Sequence, residues 1–140
     1  MSDIREYARQ IIEAEAAAIS AIQLDSTFDQ AVEIVEACKG KVIVTGMGKA
    51  GIVGQRFSTV LCSTGTPAVF VHPGEAAHGD LGIVGQGDCL FALSTSGKTR
   101  EVVEIVELSR HLGPHKVVAI HPIPSQTCGT PVISLSIWDS

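Results

Sequence analysis

Two glycine-containing turns hold the residues of this chain best suited to chemistry. The first is Gly46-Met47-Gly48-Lys49-Ala50-Gly51, a GxGxxG pattern that carries a lysine. The second is Ser94-Thr95-Ser96-Gly97-Lys98-Thr99, which gathers four hydroxyls and a cation, with Glu101 close behind. Small residues where a strand turns into a helix leave backbone N–H groups free, and the helix dipole adds partial positive charge. Each turn is therefore suited to receiving a phosphate. Four hydroxyls at Ser94, Thr95, Ser96 and Thr99 exceed what capping one helix requires. A third segment, from Pro73 to Gly87, carries Glu75, His78 and Asp80, side chains able to hold or move a proton.

More specialised readings of these turns fail on the residues. Dinucleotide binding through GxGxxG needs an acid at the tip of the second strand to hold a ribose. Here that strand ends Val71-His72-Pro73, and Glu75 lies beyond it. A nucleotide-binding phosphate loop ending in Gly97-Lys98-Thr99 needs a glycine where this chain has Ala92. His72 and His78 with Glu75 or Asp80 match no standard zinc spacing, and Cys38, Cys62, Cys89 and Cys128 form no CxxC pair. No metal and no organic cofactor is expected.

The elements that must position these turns are legible in the hydrophobic pattern. Ile4, Tyr7, Ala8, Ile11, Ile12, Ala18, Ile19 and Ile22 recur at helical steps, and Asp25-Ser26-Thr27 offers capping chemistry for a second helix over Phe28 to Cys38. Lys39-Gly40 reads as its stop. From Lys41 onward, short apolar runs alternate with helix-length segments. Strands are expected at Val42–Thr45, Ala68–Val71, Cys89–Leu93, Val117–Ile120 and Val132–Ile137. Helices are expected at Lys49–Ser63 and Lys98–His111, the latter closed by Gly113-Pro114. Strands apolar on both faces and separated by helices predict an α/β fold with a parallel sheet covered on both sides. In such a sheet ligands bind beyond the carboxyl ends of the strands, so the loops after Thr45, Val71, Leu93 and Ile120 matter most. We expect one domain over residues 1–140, with a helical segment at 1–40 and the α/β core at 41–140.

Composition narrows the partners. The 140 residues are 45% hydrophobic, enough for a core, and the net charge of −5 comes without a basic cluster. Nucleic-acid binding, which rests on clustered Lys and Arg, is excluded. No apolar run approaches the roughly 20 residues of a membrane helix, and MSDIREYARQ is too charged for a signal peptide. Dispersed cysteines without such a signal point to the cytoplasm. The first helix is more apolar than a lone surface helix needs, which suggests a subunit interface. His111, His115 and His121 read as ordinary surface or loop histidines, and Trp138 as covering an interface or a core edge.

Read together, four segments are familiar: Gly46–Gly51, Ser63-Thr64-Gly65-Thr66-Pro67, Val71-His72-Pro73-Gly74-Glu75-Ala76-Ala77-His78-Gly79-Asp80-Leu81-Gly82, and Ser94–Gly97. In this order and spacing they closely resemble the sugar isomerase (SIS) domain of the arabinose-5-phosphate isomerase family. The resemblance covers Phe28 to Gly113, and the HPGEAAHGDLG block is its most specific part. It implies a flavodoxin-like three-layer αβα sandwich around a five-stranded parallel sheet, assembled as a homodimer or homotetramer. It also implies interconversion of ribulose 5-phosphate and arabinose 5-phosphate, on the route to the Kdo sugar of lipopolysaccharide.

Carried over by motif, Ser94, Ser96 and Thr99 match the family's phosphate-holding loop, within which Thr95, Gly97 and Lys98 also lie. Lys49, in the turn begun by Gly46 and Gly48, matches a functional lysine. Glu101 matches a functional glutamate, and His78 the histidine of the HGDLG segment. Glu75 is a further candidate base. Two departures stand out. Lys98 replaces an acid usual in the family, and beyond Gly113 the match fades, without the further helix and catalytic groups of family members. The implied function is thus a phosphosugar isomerase, the alternative being a non-catalytic phosphosugar-binding or regulatory module.

Overall fold

A computed structural model describes residues 3–22, 24–112, 116–123 and 132–139. Its elements in chain order are α1 (Ile4–Ser20), α2 (Ser26–Ala37), β1 (Val42–Gly46), α3 (Gly48–Ser63), β2 (Ala68–Val71), α4 (Pro73–Ala76), β3 (Cys89–Leu93), α5 (Arg100–Ser109), β4 (Lys116–Ile123) and β5 (Val132–Asp139). Short 3-10 helices occupy Asp80–Ile83 and Arg110–Leu112. The expected stop at Gly113-Pro114 lies outside the described residues, as do His115 and Cys128.

The sheet runs β2-β1-β3-β4-β5. β2, β1, β3 and β4 are parallel, and β5 pairs with β4 antiparallel from Lys116↔Asp139 to Ile123↔Val132. The expectation of five parallel strands is therefore corrected to four parallel strands with one antiparallel edge. The reason is length: only residues 124–131 separate β4 from β5. A parallel return needs a crossover of about a dozen residues or more, normally containing a helix.

Alternate residues of each central strand feed opposite layers. Val42, Val44, Phe91 and Val118 pack with Ala31 of α2, joined by Phe57 and Leu61 of α3. Ile43, Leu90 and Val117 pack on the other face with Ala76 of α4, Val84 and Ile105 of α5. All of β1 and β3 is buried, as strands covered on both faces require. This is the three-layer arrangement expected.

At the amino-terminal edge of the sheet, Asp88 pins the residue before β1 to the turn before β3. Its buried carboxylate accepts from Lys41 N, Gly85 N and Lys41 Nζ, each at 2.8 Å. Burial pushes this acid up, but the bonds from Lys41 and the two backbone N–H groups outweigh it and hold the carboxyl below its ordinary value. Gly40 serves this pin rather than ending α2 in a left-handed cap, because a β-carbon there would collide with Asp88 Oδ1. Nearby, burial pushes the Cys89 thiol well up, and the neighbouring Cys38 adds to the shift.

Asp25 caps α2 as its chemistry predicts, accepting from Thr27 N at 2.9 Å and Phe28 N at 3.4 Å, and also from the Thr27 hydroxyl. By contrast, no residue of α1 is buried. Ile4, Ile12 and Ile19 are each more than 60% exposed, so the apolar stripe of this helix contributes nothing to the core of the single chain. No helix among the described residues is long and apolar enough to cross a membrane.

Candidate functional site

The sheet order reverses between β1 and β3, because the chain leaves β1 toward β2 on one side and returns to β3 on the other. Ligand-binding crevices form at such points. Here the two turns singled out by sequence meet: Gly46 pairs with Leu93, and β3 continues directly into Ser94.

The first turn explains its glycines one by one. Gly48 begins α3 at φ +55°, a left-handed conformation that glycine adopts without penalty. Gly51 lies where α3 crosses the end of β1, and a β-carbon there would stand 2.5 Å from the Gly46 carbonyl oxygen. Thus the last glycine of GxGxxG is required for helix–strand contact alone. Lys49 is exposed on the first turn of α3. A cation there is unfavourable toward the helix dipole unless an anion accompanies it.

The second turn is held by β4 and by its own hydroxyls. Ser94 N donates to the Ile120 carbonyl at 3.1 Å. The Ser94 hydroxyl lies 3.0 Å from Thr99 Oγ1, the Ser96 hydroxyl lies 3.4 Å from the same atom, and Ser96 Oγ accepts from Lys98 N at 3.1 Å. Gly97 sits between them at φ +64°. Thr99 occupies the N-cap of α5, yet its side chain makes no capping hydrogen bond. The hydroxyls therefore bond to one another; Val102 N and Val103 N donate to the Thr99 carbonyl, which leaves the N–H groups of Arg100 and Glu101 to face an acceptor from outside. A self-ordered cluster of donors at a helix N-terminus can bind a phosphate.

Residues 37–122 match the SIS domain. The chain belongs to the SIS domain family.

Relatives of this SIS domain are consistent with the geometry. It is 42% identical over 113 residues to "Arabinose 5-phosphate isomerase KdsD" of Pseudomonas aeruginosa, covering 79% of this chain and 35% of the relative. The chain thus spans about a third of the length of the curated relatives it matches. Among solved structures, a Bacteroides fragilis protein provisionally described as a phosphosugar isomerase involved in capsule formation superposes with a TM-score of 0.83 at 42% identity, over 88% of this chain and 67% of that one. An Escherichia coli CFT073 protein in complex with arabinose 5-phosphate superposes with a TM-score of 0.81 at 30% identity, over 87% of this chain and 65% of that one.

The SIS domain brings a third loop to the same edge. Val71 ends β2 beside Thr45, whose hydroxyl donates to the Val71 carbonyl at 2.8 Å. The segment expected as a loop begins instead with α4, because Pro73 is preset for the first helical position and His72 Nδ1 accepts from Gly74 N at 3.2 Å. α4 packs on α5 through Ala76 and Ile105. Glu75 and His78 are exposed on this segment, where His78 N donates to the Glu75 carbonyl at 2.9 Å. Glu101 is half-buried on the first turn of α5.

One residue at this edge falls outside the expected site. His121 is neither a surface nor a loop histidine: it is half-buried within β4, next to Ile120. The signal was its place directly after an apolar run, at the carboxyl tip of a strand.

Proposed function

We propose that this chain carries the phosphosugar site of an aldose–ketose isomerase that interconverts ribulose 5-phosphate and arabinose 5-phosphate. The observation that carries the reading is the hydroxyl cluster of Ser94, Ser96 and Thr99, ordered by mutual contacts while capping nothing on α5. Similarity to arabinose 5-phosphate isomerases over most of the chain supports the choice of substrate.

Such an isomerisation moves a proton between adjacent carbons through an enediol. It needs a base, a group to stabilise the enediolate oxygen, and an anchor to position the sugar. The phosphate anchor consists of Ser94, Thr95, Ser96, Gly97, Lys98 and Thr99, facing the turn of Gly46 and Gly48. Binding energy at this remote group is converted into orientation at the reacting carbons. Glu101, half-buried directly behind the anchor, is the base we favour, and Lys49 stabilises the developing oxyanion. Glu75 and His78 complete the proton-transfer set from the segment packed on α5. No step calls for a metal or an organic cofactor.

We further propose that the protein works as a homodimer or homotetramer in the cytoplasm, on the route to the Kdo sugar of lipopolysaccharide. A second copy covering the α1 stripe would bury Ile4, Ile12 and Ile19, which the single chain leaves exposed. Free Cys38, Cys62 and Cys89 suit a reducing compartment.

The test is to incubate the pure protein with ribulose 5-phosphate and follow arabinose 5-phosphate by NMR. Conversion supports the reading. Phosphosugar binding without conversion refutes the isomerase for this chain and leaves a binding module.

A further inference from the structure

We propose that His121 is a further recognition residue of this site, donating an imidazole N–H to the phosphate group held by the Ser94–Thr99 turn. The proposal rests on the phosphosugar reading of that turn and extends it to a residue on another element.

Three features converge on this side chain. The first is position. A β-carbon placed on Gly97 would stand 3.9 Å from His121 Cγ and 4.0 Å from His121 Cβ, so the histidine lies on the face of Gly97 where a side chain would otherwise project. The second is the face it occupies. Side chains alternate along a strand. Val118 and Ile120 join the layer of α2 and α3, whereas Val117 joins the layer of α5. His121 therefore projects toward the layer of α5, whose first turn follows Gly97. The third is rigidity. β4 outreaches β3 here: Leu93 pairs with Ile120, the Ile120 carbonyl holds Ser94 N, and His121 pairs with Ser134 of β5. A side chain on a strand held from both sides is a more accurate donor than one on a free loop.

The chemistry suits the position. A chain of net charge −5 must bind an anion through local donors, and the turn itself offers only Lys98 as a cation. An imidazole presents at least one N–H donor in either protonation state. Packing against a glycine needs no polar atom, and any apolar side chain of similar size would serve it.

The experiment follows the imidazole directly. Wild-type protein is titrated with inorganic phosphate and, separately, with arabinose 5-phosphate. Heteronuclear NMR monitors the His121 ring, assigned by His121→Gln, and the amides of Ser96 to Thr99. The His121 ring signals should shift and saturate together with those amides. By calorimetry, His121→Phe, which keeps a ring without the donor, should bind arabinose 5-phosphate about tenfold more weakly, as loss of one hydrogen bond to a charged group implies, and His121→Gln should recover most of that loss. If the amides respond while the ring stays still and His121→Phe binds like wild type, His121 only packs and the proposal is overturned. If neither ligand moves the amides of the folded protein, the phosphosugar reading fails and takes this proposal with it.

Discussion

Ser94 and Thr99 hold their hydroxyls 3.0 Å apart across the turn that begins α5, and neither is used to cap the helix. The pair joins the end of β3 to the residue before α5, so the proposed phosphate anchor is shaped before any ligand arrives. Preorganisation of this kind lowers the ordering cost of binding.

Removing either hydroxyl should weaken ligand binding far more than folding. Ser94→Ala and Thr99→Val are each expected to reduce affinity for arabinose 5-phosphate about tenfold, while costing about 1 kcal/mol or less in stability. Calorimetry and chemical denaturation of the same samples separate the two effects. A stability loss without an affinity loss would return the hydroxyls to a structural role.

Lys49 is exposed on the first turn of α3, so its replacement should leave the fold intact. If it stabilises the enediolate, Lys49→Ala should lower kcat by about a hundredfold or more, the size seen when an oxyanion donor is lost. A thermal melt matching wild type would show that the loss is chemical. An unchanged rate would remove Lys49 from the mechanism.

Asp88 should matter for stability and for its pH dependence. Asp88→Ala strands Lys41 N and Gly85 N and unpairs Lys41 Nζ, an expected loss of about 2–4 kcal/mol at neutral pH. The folded carboxyl titrates below its ordinary value, so its stabilisation is complete above the unfolded pKa of about 3.9 and disappears as pH falls through the folded value. Denaturant midpoints measured between about pH 5 and about pH 3 should fall less steeply in the variant than in wild type.

Gly51 and Gly48 should respond differently to alanine. A β-carbon on Gly51 meets the Gly46 carbonyl oxygen at 2.5 Å, and since that atom is backbone, α3 must move off β1. The expected cost of Gly51→Ala is about 2–3 kcal/mol, with loss of ligand affinity because the first turn shifts. Gly48→Ala meets no neighbouring atom, and its cost of about 1 kcal/mol comes from φ +55° alone. Denaturation of the two variants should rank them in that order.

The α1 stripe gives the test of assembly. Ile12→Asp together with Ile19→Asp should convert a dimer or tetramer into monomer, read by size-exclusion chromatography with light scattering. Neither side chain supports the core, so the monomer should keep its α/β fold. A wild-type protein that is already monomeric would refute the proposed assembly.

Much of the architecture was legible because its causes are local. β2 and β3 run over the residues expected, Ala68–Val71 and Cys89–Leu93, since β-branched and apolar runs bounded by turn residues have few alternatives. Asp25 was recognisable as a cap from its type and position. The direction of β5 was harder to read, because a strand's apolar pattern is the same in both directions. Only the span of residues 124–131 carried the hint. Gly40 misled for a similar reason: a glycine after a helix looks like a cap, and its real constraint, Asp88, lies far along the chain.

By itself the sequence determined the alternation of strands and helices and the identity of the two turns, Gly46–Gly51 and Ser94–Thr99. It also determined the family, since motif order and spacing are linear properties. The tertiary structure decided which segments meet. It set Gly46 beside Leu93, left the Ser94 and Thr99 hydroxyls to each other, and carried His121 from the tip of β4 to the flank of Gly97. Those relations depend on strand order and register, which follow from burying both faces of the sheet at once rather than from any one segment's pattern.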